Sequence, residues 1–290
     1  ANLSLEPGEK RAVWGNDFII HDDFYFESSG AANDIVFGDL TAGEVTISDT
    51  LSRDPIIAFD GNVNLTGGTT TLHDGEWKFN GTLQGPGDLL RTGSGSSTLY
   101  LGGDNSDYDG TIAVEAGDLY ATGANSLGTG TVTITGSGHY EIFIEAPQLP
   151  VDLIAYQGDI RALVPRAITG GNVEVLSHAF QAVTGGVVDA NLTLLNTPDV
   201  EVNALTGSTK VTYLHAATLE AKQDYTGGTT FDLSGVNPDI KIIHSNDGNL
   251  AGNPLGSGAI TWLGGDKLIF QSDENVTWGK KRIVGELKKL

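Results

Sequence analysis

Helical periodicity is almost absent from this chain. In its place stand short segments rich in Val, Ile, Thr, Leu and Phe, each closed by Gly, Asn, Asp or Ser, which is the signature of a strand between turns. Asp34–Phe37, Glu44–Ile47, Pro55–Phe59, Asn62–Leu65, Thr69–Leu72, Ser97–Leu101, Thr111–Val114, Thr131–Ile134 and Lys241–Ile243 are examples. Most alternate apolar and polar residues with period two, so each strand has one buried face and the fold class is all-β. The 40 glycines among 290 residues follow no three-residue period, which excludes collagen and assigns them to turns. A hydrophobic content of 39% supports a packed core rather than disorder.

Two architectures fit many short strands: a sandwich of antiparallel hairpins, or a solenoid in which each strand stacks on its equivalent one coil later. Internal similarity favours the solenoid. Tyr108-Asp-Gly-Thr-Ile-Ala-Val114 resembles Tyr225-Thr-Gly-Gly-Thr-Thr-Phe231, and Asn125-Ser-Leu-Gly-Thr-Gly-Thr-Val-Thr-Ile134 resembles Asn253-Pro-Leu-Gly-Ser-Gly-Ala-Ile-Thr-Trp262, in the same order. The second copy carries extra residues between its two elements, as local insertions in a solenoid allow. Coils of roughly 20–25 residues would stack about a dozen deep at about 4.8 Å, a rod near 60 Å long. Apolar residues then form internal ladders, while Asn, Asp and Thr at the corners hydrogen-bond the backbone of adjoining coils.

The run from Gly85 to Gly136 carries Gly85, Gly87, Leu89, Arg91, Gly93, Gly95, Leu99, Leu101, Asn105, Tyr108, Gly110, Thr111, Val114, Gly117 and Leu119 at the positions of a strand repeat. This pattern resembles that of bacterial autotransporter passenger domains, with Arg in place of Lys and one extra residue before Tyr108; AIDA-type adhesins are of this kind. The resemblance implies a right-handed parallel β-helix exported by the type V route and displayed on a Gram-negative surface, with a β-barrel translocator downstream that this chain lacks. Residues 1–290 are then a single passenger domain. Residues 137–171 depart from the repeat, with long apolar runs and three prolines, and predict a protruding hairpin or an irregular coil. Residues 278–290 gather five of the 16 cations and predict a boundary where more chain followed. A start at Ala1 and the lack of Met predict a processed or excised piece of something longer.

A formal charge of −21 would repel phosphate backbones, so nucleic acid is not an expected partner. No apolar run approaches the ~18 residues of a membrane helix, and the first residues lack the order of a signal peptide. The absence of Cys excludes a disulfide framework and thiol chemistry, and it suits export through an oxidising compartment.

Catalytic and metal signatures are scarce. Asn105-Ser-Asp107-Tyr-Asp109-Gly110 resembles a calcium loop, but begins with Asn, has Glu115 one position early and runs into a strand, so a structural corner is expected and no metal or other cofactor. Asp107 and Asp109, at i and i+2 of a strand, would present a carboxylate pair for glycoside hydrolysis. No cation lies between Arg91 and Arg161 to hold an acidic sugar, against nine acids, and a solvated turn is the better reading. The six histidines (His21, His73, His139, His178, His215 and His244) have no metal-ligand spacing, and no Gly-x-Ser-x-Gly elbow, P-loop or dinucleotide fingerprint occurs. Trp14, Trp77, Trp262 and Trp278 are expected to pack inside rather than to stack on sugars. The sequons at Asn2, Asn64, Asn80, Asn191 and Asn275 are what Thr-rich strands produce by chance.

These readings converge on a surface-exposed, non-catalytic adhesin that binds host glycans or extracellular-matrix proteins, or associates with its own copy on a neighbouring cell in aggregation and biofilm formation. The expected binding surface is the corner Asp104, Asn105, Asp107, Tyr108 and Asp109, with Lys280, Lys281 and Arg282 as a basic patch. The alternative is a tailspike-like β-helical polysaccharide lyase or hydrolase.

Overall fold

The computed structural model is a β-solenoid in which every pair of neighbouring strands runs parallel. It describes residues 17–26, 34–49, 56–95, 97–136, 138, 140–176 and 190–193 in full, and beyond them the backbone of further strands from Asn2–Ser4 to Lys267–Ser272. Each coil visits three faces in turn. Thr69–His73 belongs to a 16-stranded sheet, Glu76–Phe79 to an 11-stranded sheet and Leu83–Gln84 to a shorter third one, and Asp88–Thr92 then returns to the first. The register gives a coil of 25 residues from Val45 to Thr70 and of 19 from Thr69 to Asp88, bracketing the predicted repeat.

Because side chains alternate across a strand and every strand lies on its equivalent, inward positions form continuous rows. One runs Val45, Thr70, Leu89, Ile112, Val132, Leu153 and Val173; on the second sheet Ile57, Trp77, Leu99, Leu119, Ile142 and Ile160 do the same. Each buried Leu or Ile contributes about 1.5–3 kcal/mol. The early coils are filled by rings, with Phe18 against Phe37 at 4.8 Å and Phe37 against Phe59 at 5.3 Å. Later coils use Ala121, Ala155 and Ala162, and a smaller side chain needs a narrower coil.

The corners explain much of the acidity. Asp23, Asp34, Asp39, Asp74, Asp88, Asp118 and Asp152 each accept, through one carboxylate oxygen, a backbone N–H of the next coil, at 2.5–3.3 Å. Strand pairing stops at a corner, so these N–H groups need another acceptor, and a short carboxylate reaches them. Thr66, Thr122 and Thr129 supply the complementary donors, each hydroxyl reaching a carbonyl of the preceding coil at 3.2 Å.

One expectation is corrected. Among the described residues of 137–171 there is no protruding hairpin: Glu141–Ile144, Asp152–Ala155 and Asp159–Ala162 pair parallel and in register with the coils before and after. Their apolar runs still alternate with period two, Ile142 and Ile144 pointing in, and Pro147, Pro150 and Pro165 sit at exposed corners where no ladder N–H is needed. Asp107 and Asp109 lie outside the strands and exposed, as the solvated-turn reading expects, so strand parity does not aim them together. The repeat reading is matched by topology. Ile112–Val114 pairs with Thr131–Ile134 as Thr226–Asp232 pairs with Ala259–Leu263, the second copy one insertion longer. Residues 278–290, with the predicted basic patch and boundary, lie outside the described residues.

Candidate functional site

The predicted corner is built mainly to close the solenoid. The third face has no strand in the coils between Leu83–Gln84 and Ile168–Thr169, where turns stand instead. Side-chain amides bridge the gap. Asn105 Oδ1 accepts from the Leu83 N–H at 2.6 Å, and Asn105 Nδ2 donates to the Ser126 carbonyl at 2.5 Å. One layer on, Gln148 Oε1 accepts from the Leu127 N–H at 3.0 Å, and Gln148 pairs with Ile168 as an isolated bridge. Tyr108 fills the space beneath, its hydroxyl donating to the Gly87 carbonyl at 2.8 Å. Burial, with the charges of Asp88 and Asp109, pushes its phenol well above the ordinary tyrosine range.

Asn105 and Tyr108 are therefore not surface residues, which corrects their place in the expected binding corner: both are buried and committed to backbone groups of neighbouring coils. Asp104, Asp107 and Asp109 remain exposed. Asp104 lies below its ordinary pKa because the Ser106 backbone and hydroxyl and the Asn125 amide hydrogen-bond its carboxylate. The other repeat residues serve the fold too. Arg91 stands in the inward row between Leu72 and Val114, fully buried, and its guanidinium donates to the Leu72 and Gly75 carbonyls of the coil before and to the Thr92 carbonyl of its own. Burial pulls its pKa down to about 10 against the favourable charges of Asp74, Asp49 and Tyr140. Gly117 has a φ of +79°, and a Cβ there would strike the Ser97 carbonyl. Trp77 is buried, its Nε1 donating to the Asp74 carbonyl at 2.5 Å, and Trp14, Trp262 and Trp278 lie outside the residues whose side chains are described. His21 is exposed, His73 Nε2 lies 3.3 Å from Asp74 Oδ2, and the other four histidines are outside the described side chains. Among the described residues no three acidic or imidazole groups converge as a metal site.

A different surface stands out on the outer face of the 11-stranded sheet. Register places Lys78, Tyr100, Tyr120, Phe143 and Arg161 in one outward row, one residue per coil. Tyr100 stacks on Tyr120 with centroids 4.9 Å apart and planes at 25°, and Tyr120 on Phe143 at 4.4 Å and 12°. The Arg161 guanidinium caps the stack 5.7 Å from the Phe143 centroid, paired with Glu141 and with Asp159 at 3.9 Å. Two residues earlier on the same strands the outward row reads Glu76, Thr98, Asp118, Glu141 and Asp159; on the opposite flank, Glu145 is exposed beside Thr122. Partial burial and the charges of Glu76 and Tyr120 push the Tyr100 phenol up to about 12, and Tyr120 is raised by burial and by Asp118, Glu141 and Glu145. This row is not among the sites expected from the sequence. Its signal was present, because Tyr100, Tyr120 and Phe143 recur at the length of a coil.

Comparison with family models, curated proteins and solved structures returns no match to the chain. The likeness to autotransporter passengers thus stands on the repeat residues alone, and those in Gly85–Leu119 whose contacts are described above serve coil closure, a task common to parallel solenoids.

Proposed function

We propose that this chain is a non-catalytic binding protein, an adhesin displayed on a Gram-negative surface, and that it makes contact with host glycans or matrix proteins, or with its own copy, through the outer face of the 11-stranded sheet. The observation that carries the reading is the aromatic row Tyr100, Tyr120 and Phe143, half-buried on a parallel sheet and edged by carboxylates. A rigid solenoid holds such groups in fixed positions, so little ordering entropy opposes binding, and many copies on one cell turn weak contacts into firm attachment.

Arg161 beside Glu141 and Asp159 brings a cation and paired carboxylates together on this face, as the lyase or hydrolase alternative requires. Both readings are tested by incubating the whole chain with a glycan array and a panel of matrix proteins, followed by mass analysis of the glycans. Saturable binding that leaves the glycans intact and weakens in Tyr120→Thr supports the adhesin. Shortened glycans establish the enzyme, and binding indifferent to Tyr120→Thr removes this face from the proposal.

A further inference from the structure

We infer that the partner segment recognised by the aromatic row is basic: an extended, arginine-rich stretch of a protein lying along the solenoid axis over Tyr100, Tyr120 and Phe143. This rests on the binding-protein reading above and names the chemistry of its partner. Three observations lead there.

The first is what the stack withholds. A sugar ring recognises an aromatic side chain through its face, yet the ring faces within the row are covered by one another at 4.4–4.9 Å, and the outer face of Phe143 is covered by Arg161. From Tyr120 to Arg161 the row therefore presents ring edges and a phenol oxygen rather than open platforms. The second is charge. Among the described residues, Glu76, Asp118, Glu141 and Glu145 lie about this row with Lys78 and Arg161 as the cations, and those two stand at its ends, while Asp159 is buried beside Arg161. The middle of the face is acceptor-rich, and guanidinium is the side-chain group with five donors and no acceptor.

The third is that the protein already places one guanidinium here. Arg161 lays its cation over Phe143 and reaches Glu141 with the same group. An arginine of a partner would repeat this arrangement one or two coils along, its methylenes on the tyrosine edges and its head between Asp118 on one flank and Glu145 on the other. From Lys78 to Arg161 is four coil steps, roughly 19 Å at about 4.8 Å each. That matches an extended peptide of about six residues.

The test uses the whole chain and a fluorescent oligo-arginine peptide, with a Gly-Ser peptide and a glucosamine oligomer as comparison probes. Asp118→Asn keeps the oxygen that accepts the Glu141 N–H, and with Glu145→Gln it removes two charges from the face. This pair is expected to weaken oligo-arginine binding about tenfold. Asp107→Asn with Asp109→Asn removes the same charge from the turn after Thr98–Leu101 and should leave binding unchanged. Arg161→Gln takes away the resident guanidinium, and affinity should rise. Equal weakening by the two double variants would reduce the effect to general attraction by a polyanion and overturn the inference. No oligo-arginine binding, binding of the glucosamine oligomer instead, or a fall in affinity in Arg161→Gln overturns it as well. If the glycan and matrix panel still binds in those cases and still responds to Tyr120→Thr, the binding-protein reading stands and only the basic partner is lost.

Discussion

Asn105→Ala tests whether the gap in the third face is held by side-chain amides. The substitution removes the acceptor of the Leu83 N–H and the donor to the Ser126 carbonyl, both buried. An orphaned buried N–H costs about 1–3 kcal/mol, and the lost bond to the Ser126 carbonyl and the vacated amide volume add to it, for a total of about 2–4 kcal/mol. A solenoid opens locally, so a single melting temperature would average the effect away, and hydrogen exchange read residue by residue is the better assay. A loss of about 2 kcal/mol at Leu83 accelerates exchange of that amide about thirtyfold. The increase should be confined to the coils on either side of Asn105. Asn105→Asp should be worse, because it turns an oxygen toward the Ser126 carbonyl, and Asp104→Ala, next door but exposed, should leave Leu83 unchanged. If Leu83 exchanges at the wild-type rate in Asn105→Ala, or if Asp104→Ala speeds it equally, the amide bridge is not what closes this gap.

Other consequences concern the buried cation, pH, a turn and salt. Arg91→Met strips three corner carbonyls of their donor and leaves the nearby Asp49 and Asp74 without this cation, costing about 3–5 kcal/mol, and limited proteolysis should cut first at the corner His73–Gly75; an unchanged cleavage pattern would count against the role of Arg91. Tyr100 is raised from 10.0 to about 12, so its contribution is complete below pH 10 and is lost as pH climbs toward 12; Tyr108 and Tyr120 act in the same direction. Arg91, lowered from 12.5 to about 10, acts oppositely, since the folded state gives up its proton first. With three phenols against one guanidinium, denaturant unfolding should show a net fall in stability over this range, shallower in Tyr100→Phe, and an identical slope would contradict the assignment. Gly117→Ala, at a φ of +79° against the Ser97 carbonyl, should destabilise by more than 1 kcal/mol, roughly the ordinary glycine-to-alanine scale, as measured by chemical denaturation. Raising salt from low to physiological strength should weaken oligo-arginine binding and strengthen any self-association of a chain with charge −21, and sedimentation at both strengths separates the two.

How much was legible depended on which rule each residue obeys. Period-two alternation exposed the strands, because a one-sided strand must alternate. Thr131–Ile134 is the observed strand to the residue, and most of the others agree within one or two. The paired blocks near residues 108–134 and 225–262 exposed the solenoid, because stacked coils demand equivalent residues at equivalent steps. Residues 137–171 misled because proline and a long apolar run look like a break, although inward positions kept their parity. Asn105 and Tyr108 misled for a deeper reason. Polar residues in a turn read as exposed, yet a coil that lacks a third strand has unpaired backbone groups inside it, and only a polar side chain turned inward can meet them. The outer aromatic row escaped because no local window contains it: its members are neighbours only at the coil period, and that period varies.

The strong acidity of the chain thereby divides into two parts with different consequences. Seven aspartates place an oxygen on the N–H of the following coil, so removing that oxygen disturbs a corner, and of the seven Asp118 also flanks the aromatic row. Glu145, Asp107 and Asp109 show no such backbone bond among the described contacts, yet only Glu145 flanks the aromatic row. A substitution series that merely lowers net charge cannot tell these roles apart, whereas isosteric Asp→Asn changes can, since an amide oxygen still accepts the corner N–H. If Asp39→Asn and Asp88→Asn keep their coils intact while Glu145→Gln weakens oligo-arginine binding, the carboxylates at the corners act as acceptors and those beside the row act as charges. If the two corner variants lose their folded coils, the corner aspartates contribute through charge as well, and the acidity of the chain has to be explained as one field rather than as two sets of residues.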